Sequence, residues 1–143
     1  MKAKAAKVAK GSKRRPKKAG RGFLAGMLAR LRASRMLGIR AGAAGDHRFT
    51  GIWFVMVGHR VFVRPYYDEP TGWYRAFRKD PRGAITVGKR EIAIRARTAR
   101  GSGLFDKVDA AYALKYDTAA SQKWVRGFHQ ARRRKTTTEL RPR

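Results

Sequence analysis

Cysteine is absent from the 143 residues. That absence removes disulfide scaffolds, cysteine-ligated zinc, iron–sulfur clusters and thiol nucleophiles at once. A reducing compartment suits such a chain, and the cytoplasm is its expected location. Acidic residues are scarce: 9 Asp and Glu stand against 36 Lys and Arg, for a formal net charge of +27. Long hydrophobic runs are lacking too. No stretch approaches the ~20 apolar residues of a membrane-spanning helix, and the run Phe23-Leu24-Ala25-Gly26-Met27-Leu28 is broken by Arg30. The basic stretch before that run is too long for a secretory signal, and its single Ser (Ser12) is few for an organellar transit peptide. The three histidines, His47, His59 and His129, have no metal-ligand spacing. Phosphate-cradling glycine loops, a Rossmann fingerprint and a nucleophile elbow around Ser102 are all missing. Asp106 and Asp109 are three apart, but on an amphipathic helix that spacing is normally the wet face. Acid–base or nucleophilic hydrolysis therefore has little support.

What the chain does have is basic charge, part of it segregated. Residues 1–22 hold ten of the 36 basic residues and no acid, and removing those ten charges from +27 leaves +17. A Lys/Ala/Gly segment of this kind has too little apolar surface to offset chain entropy, so it is expected to be a disordered arm. The remainder, 23–143, is expected to be one domain. Such a charge favours polyanions, nucleic acid first. Lys13, Arg14, Arg15, Lys17 and Lys18 in the arm, with Arg132, Arg133, Arg134 and Lys135 near the end, are the candidate nucleic-acid contacts. The other reading of the arm is a solubilising tail.

Patterning beyond the arm alternates between helix and strand. Leu24, Met27, Leu28 and Leu31 mark an amphipathic helix that Gly38 and the Gly42–Gly45 region would end. Thr50–Val57 is nearly all apolar, as a strand buried on both faces would be. Gly58-His59 turns it into Arg60–Arg64, a hairpin signal. Pro65 stops that run, and Trp73 to Phe77 opens a short helix that Pro81 ends. Ile85–Val87 and Glu91–Thr98 form a second hairpin around Gly88-Lys89. Ser102 reads as the N-cap of a helix carrying Leu104, Phe105, Val108, Tyr112 and Tyr116. Another short helix carries Trp124, Val125 and Phe128, and Thr136–Leu140 reads as a last strand. The fold class is α+β: an antiparallel split β-barrel with flanking helices.

Several motifs occur in one order: His47-Arg48-Phe49-Thr50-Gly51-Ile52-Trp53, Arg60-Val61-Phe62-Val63-Arg64, Gly72-Trp73-Tyr74-Arg75, Asp109-Ala110-Ala111-Tyr112 with Lys115-Tyr116, and Thr136-Thr137-Thr138-Glu139-Leu140-Arg141-Pro142. Together they resemble the bacterial domain-of-unknown-function family 2255, over roughly Ala33 to Arg143. The resemblance implies a split β-barrel related to flavin- and deazaflavin-binding proteins of the nitroreductase and pyridoxamine-phosphate-oxidase type. It makes FMN or a deazaflavin the cofactor class to test and, if the protein is an enzyme, a flavin- or deazaflavin-dependent oxidoreductase the enzyme class. In those relatives a Trp-Tyr-containing helix beside the cofactor runs into an Asn-Leu-Arg-like turn. Here the position reads Trp73 to Pro81 without the Asn. Their Gly-Arg-Lys-Ser-Gly phosphate motif is also absent, with His47 to Gly51 the one stretch that would stand in for it.

The candidate cofactor residues are therefore Arg48, Thr50, Arg64, Trp73, Tyr74, Arg75, Lys115 and Tyr116. Arginines at strand ends suit bidentate capture of phosphate or carboxylate, although a basic surface would look the same. Trp73 and Tyr74 suit stacking on a flat ring, and they equally suit core packing. Tyr112 and Tyr116 share a helix face, which also suits packing. The reading that combines these signals is a homodimeric split barrel holding a flavin-type or phosphorylated ligand, its arm on nucleic acid. The alternative is a non-enzymatic nucleic-acid- or ribosome-associated protein.

Overall fold

The computed structural model describes residues 22–42 and 48–143. The expectations placed on the arm, including Lys13, Arg14, Arg15, Lys17 and Lys18, and on His47, lie outside those residues. The alternating runs become seven strands: β1 (Met36–Ala41), β2 (Thr50–Trp53), β3 (Val55–Val57), β4 (Arg60–Val63), β5 (Arg82–Val87), β6 (Arg90–Thr98) and β7 (Thr138–Pro142). All pair antiparallel in the order β2-β1-β5-β6-β7-β4-β3. The two ends of that order, β2 and β3, are neighbours in the chain with only Phe54 between them. The sheet thus curls round until its edges nearly meet, as an almost closed barrel.

The hairpins form where the two-residue turns lie, with Gly58 (φ 62°) and Gly88 (φ 61°) in the left-handed conformation that glycine adopts without strain. The helices are α1 (Ala25–Ala33), α2 (Trp73–Lys79), α3 (Ser102–Lys115), α4 (Gln122–Phe128) and α5 (Ala131–Arg134). Ser102 is the first helical residue of α3 rather than its cap, since Gly101, at φ 107°, precedes the helix. The last strand begins two residues later than its pattern suggests. The Thr136 and Thr137 hydroxyls bond back to the carbonyls of Arg133 and Arg134, which keeps those threonines in a turn.

Two further expectations change. Gly38 ends no helix; it lies in the middle of β1, where a Cβ would collide with Thr86 Oγ1 and press on Phe49, so that the position requires glycine. Thr50–Val57 is two strands rather than one, broken at Phe54.

Two apolar clusters hold the layers. The barrel interior contains Leu37, Ile39, Phe54, Val61, Val63, Ile85, Ile94 and Leu140, and α1 contributes Leu28 and Leu31 to it. On the outside, Val55 and Phe62 meet Val108, Tyr112 and Tyr116 of α3 and the segment after it, and Val125 and Phe128 of α4. Burying such side chains contributes on the order of 1.5–3 kcal/mol each before entropy is counted.

Candidate functional site

Among the described residues the barrel opens at one seam. β2 pairs with β1, and β3 with β4, so the chain leaving β4 at Val63 has no strand beside it where β2 has turned away. Into that seam opens a cleft of about 560 Å³. β2 forms one wall through Thr50 to Trp53. Arg64 to Tyr67 form the opposite wall, Gly72 to Tyr74 close one end, and Trp124 and Phe128 of α4 close the other. Seven of the lining residues are aromatic, and only Arg64 and Glu69 are charged.

The aromatic walls are fixed by one another. The Tyr66 ring meets Tyr67, Trp124 and Phe128 edge to face at centroid distances of 5.1, 4.9 and 5.2 Å. The Arg133 guanidinium caps Tyr66 at 3.8 Å. On the opposite wall Trp53 lies flat on Tyr116, 4.0 Å between centroids and 3° between planes. Trp73 packs edge-on to Tyr74 and Phe77. Rings buttressed in this way offer pre-organised faces and cost little entropy to present.

Of the predicted residues, Thr50, Arg64, Trp73 and Tyr74 line the cleft; Arg48, Arg75, Lys115 and Tyr116 do not. Arg64 is only 2% exposed. Its Nε donates to Thr137 Oγ1 at 2.8 Å, and Nη1 donates to Asp109 Oδ1 at 2.5 Å and to the Phe128 carbonyl at 2.8 Å. Nη2 adds a longer bond to the Phe105 carbonyl at 3.3 Å. Its guanidinium therefore joins β4, α3, α4 and the approach to β7. Arg75 instead lies on the surface in a two-pronged pair with Asp68, at 2.8 and 3.0 Å. That hydrogen bonding holds the Asp68 carboxyl below its usual range. Arg48 is exposed near the start of β2.

Lys115 and Tyr116 act behind the wall. The Tyr116 hydroxyl accepts the Phe54 N–H at 3.0 Å, and Lys115 Nζ donates to the Phe54 carbonyl at 2.9 Å. Burial, and then the charge of Arg35, pull the Lys115 ammonium down to about 8. Burial pushes the Tyr116 phenol up to about 12.

The basic run near the C-terminus is divided. Arg133 is buried, donating to the carbonyls of Tyr66 and Gly127 and to the Gln130 side chain. Arg134 is paired with Asp106 and, at 3.2 Å, with Asp109. Arg132 and Lys135 are exposed.

The sequence reading missed Trp53, Tyr66, Trp124 and Phe128 as wall residues. The i, i+4 spacing of Trp124 and Phe128 on one helix face is the signal that pairs them. Among the described residues no cluster of three or more His, Asp or Glu could hold a metal ion. No helix of those residues is long and apolar enough to cross a membrane.

Solved structures that share the fold include the following two. One is a conserved hypothetical protein from Mycobacterium tuberculosis, with TM-score 0.52 and 13% identity over 82% of this chain and 77% of that one. The other is a Listeria innocua protein described as a pyridoxamine 5'-phosphate oxidase, with TM-score 0.52 and 13% identity over 82% of this chain and 90% of that one. At such identity the likeness establishes the fold alone. Among curated proteins none matches the sequence. The sequence motifs, the near-closed antiparallel barrel and the family model agree: matched over residues 27–140, the chain belongs to DUF2255, a family described as uncharacterized proteins conserved in bacteria.

Proposed function

We propose that the seam cleft binds a flat heterocyclic ring of flavin or deazaflavin type. The observation that carries this reading is the cleft itself, about 560 Å³ and walled by aromatic side chains from both sides of the barrel's opening. Volume and lining both fall in the range of small-molecule sites. Trp53, Tyr66, Trp73, Tyr74 and Trp124 supply faces and edges for the ring. The Thr50 hydroxyl and the unpaired edge of β2 supply hydrogen-bonding groups for its rim. A flavin-type ring, when bound, supplies redox chemistry that no side chain in the cleft possesses. The chain's own part is to orient the ring and keep water from its faces.

Recognition of a phosphate is weaker. Arg64, the one cation among the described lining residues, is spent on Asp109, Thr137 and main-chain carbonyls, and Glu69 adds a negative charge at the rim. Riboflavin is therefore expected to bind nearly as well as FMN. Titrating the full-length protein with riboflavin, FMN and a deazaflavin, read by tryptophan fluorescence and calorimetry, tests the proposal. Micromolar binding that weakens on Trp124→Ala supports it, and no binding of any flat heterocycle at that level overturns it.

Met36 and Tyr67 are exposed apolar residues on the lining of this cleft. We include in the proposal a homodimer whose second copy covers them, to be read from solution mass by light scattering. Contact of segment 1–22 with nucleic acid belongs to the proposal on its charge, ten basic residues and no acid, and is read from salt-dependent binding after deletion of that segment.

A further inference from the structure

The outer surface of the sheet carries an alignment that the cleft does not use. The strand register places Arg82 of β5 directly opposite Arg95 of β6, and Arg95 directly opposite Arg141 of β7. Val61 of β4 stands opposite Leu140, so Arg60, one residue earlier, falls beside Arg141. Four arginines thus form one row across four adjacent strands, roughly 14 Å long at ~4.8 Å per strand. They point outward, because the residues alternating with them (Val61, Gly83, Ile94 and Leu140) are buried. Arg97, two residues beyond Arg95 on the same face, is also exposed.

Like charges directly opposite on neighbouring strands are destabilising. Two carboxylates offset part of this. Glu139, 3% exposed, takes Arg60 at 2.9 Å and Arg141 at 3.1 Å, and Asp80 takes Arg82 at 2.9 Å. Arg95 and Arg97 have no ion-pair partner among the described residues. Five guanidinium groups against two carboxylates leave a net charge of +3 on a rigid surface.

We infer that this arginine row on the outer face of β4, β5, β6 and β7, beside the part of β4 that α3 and α4 cover, is a docking surface for the phosphate backbone of double-stranded nucleic acid. Charge complementarity selects a polyanion, and the regular row suits a stiff one. No aromatic side chain stands in the row to stack on bases, which single-strand recognition would need. Nor does a large apolar residue stand there to enter a membrane. Contact of this kind is independent of base sequence and releases counterions. The inference does not depend on what the cleft binds.

The test uses the full chain and a fluorescein-labelled duplex DNA of mixed sequence, with anisotropy followed across a salt series. The variant Arg95→Ala/Arg97→Ala is compared with Arg30→Ala/Arg32→Ala, which removes the same charge from exposed positions on α1. The expected result is a log K against log salt slope shallower by about 0.9 per lost phosphate contact in the first variant only, with a thermal midpoint no lower than wild type. Equal losses in the two variants would assign the effect to net charge and overturn the inference. Tighter binding to single-stranded DNA that the Arg95/Arg97 variant loses would overturn the duplex assignment. So would binding to phosphatidylserine vesicles that depends on Arg95 and Arg97 where duplex binding does not.

Discussion

The Tyr116 hydroxyl and the Phe54 backbone form the joint at which the barrel breaks. Phe54 lies between β2 and β3, where its N–H has left the ladder. The hydroxyl accepts that N–H at 3.0 Å and reaches the Arg35 carbonyl at 2.6 Å as a donor. Lys115 then takes the Phe54 carbonyl at 2.9 Å, with its ammonium 3.3 Å above the Phe54 ring. A buried backbone amide without a partner is costly, so these two side chains are what allows the strand to change neighbours and leave the seam open. The same Tyr116 ring supports Trp53, a wall of the cleft.

Tyr116→Phe keeps the ring stack and removes the hydroxyl. It leaves the Phe54 N–H and the Arg35 carbonyl without that partner, at a cost of about 1–3 kcal/mol. Urea unfolding should give a lower midpoint at unchanged slope. A midpoint equal to wild type would show that water replaces the hydroxyl at no cost.

The joint also predicts a pH dependence. Lys115 titrates at about 8 in the fold, against an ordinary value of 10.5. Between those values the unfolded chain binds the extra proton, so this group's contribution to stability increases as pH rises from about 8 to 10.5. Tyr116 is shifted the other way, from 10.0 up to about 12. Its contribution is intact below pH 10 and is lost as pH rises from 10 to 12. Lys115→Met should therefore flatten the stability profile between pH 8 and 10.5, measured by urea unfolding at each pH. An unaltered profile would remove Lys115 as its source.

Arg64 is expected to behave as a structural residue. Truncation to Ala leaves the Thr137 hydroxyl and the Phe128 carbonyl without their donor and breaks the pair with Asp109, where loss of one partner of a buried pair typically costs about 3–5 kcal/mol. Arg64→Lys should recover only part of that, since an ammonium cannot reproduce the guanidinium fork. Thermal unfolding of the two variants checks this. A near-wild-type Arg64→Ala would show that the four-way junction contributes little.

Gly127→Ala probes the cleft wall. Alanine is favoured over glycine within a helix by ~1 kcal/mol, yet a Cβ at 127 would run into the Tyr66 hydroxyl and ring. Tyr66 must then leave its place against Trp124 and Phe128. The expected outcome is lower stability and weaker ring binding, on the order of tenfold or ~1.4 kcal/mol. In a Tyr66→Ala background, where the ring is already gone, Gly127→Ala should cost no further stability. An equal further loss in that background would place the clash elsewhere.

Short-range pattern was enough for the local pieces. The hairpins at Gly58-His59 and Gly88-Lys89 and the helices opened by Trp73 and Ser102 follow from short-range pattern and turn chemistry. The barrel class followed from adding them together, and the place of Trp73 and Tyr74 on the cleft lining was legible because a short aromatic helix follows Pro65. Tertiary structure decided the rest. Gly38 belongs to a strand through its pairing with β2 and β5, and Thr86 and Phe49 leave no room there for a Cβ, a constraint set by distant residues. The break at Phe54 depends on Tyr116 and Lys115, 62 and 61 positions later. Arg64 reads as a free strand-end cation until Asp109, Phe128 and Thr137 come around it. The excess of arginine is plain in the composition, but its alignment into a row is a matter of register. A shift of one residue would turn every one of those side chains to the other face, and only the packed barrel interior determines which face that is.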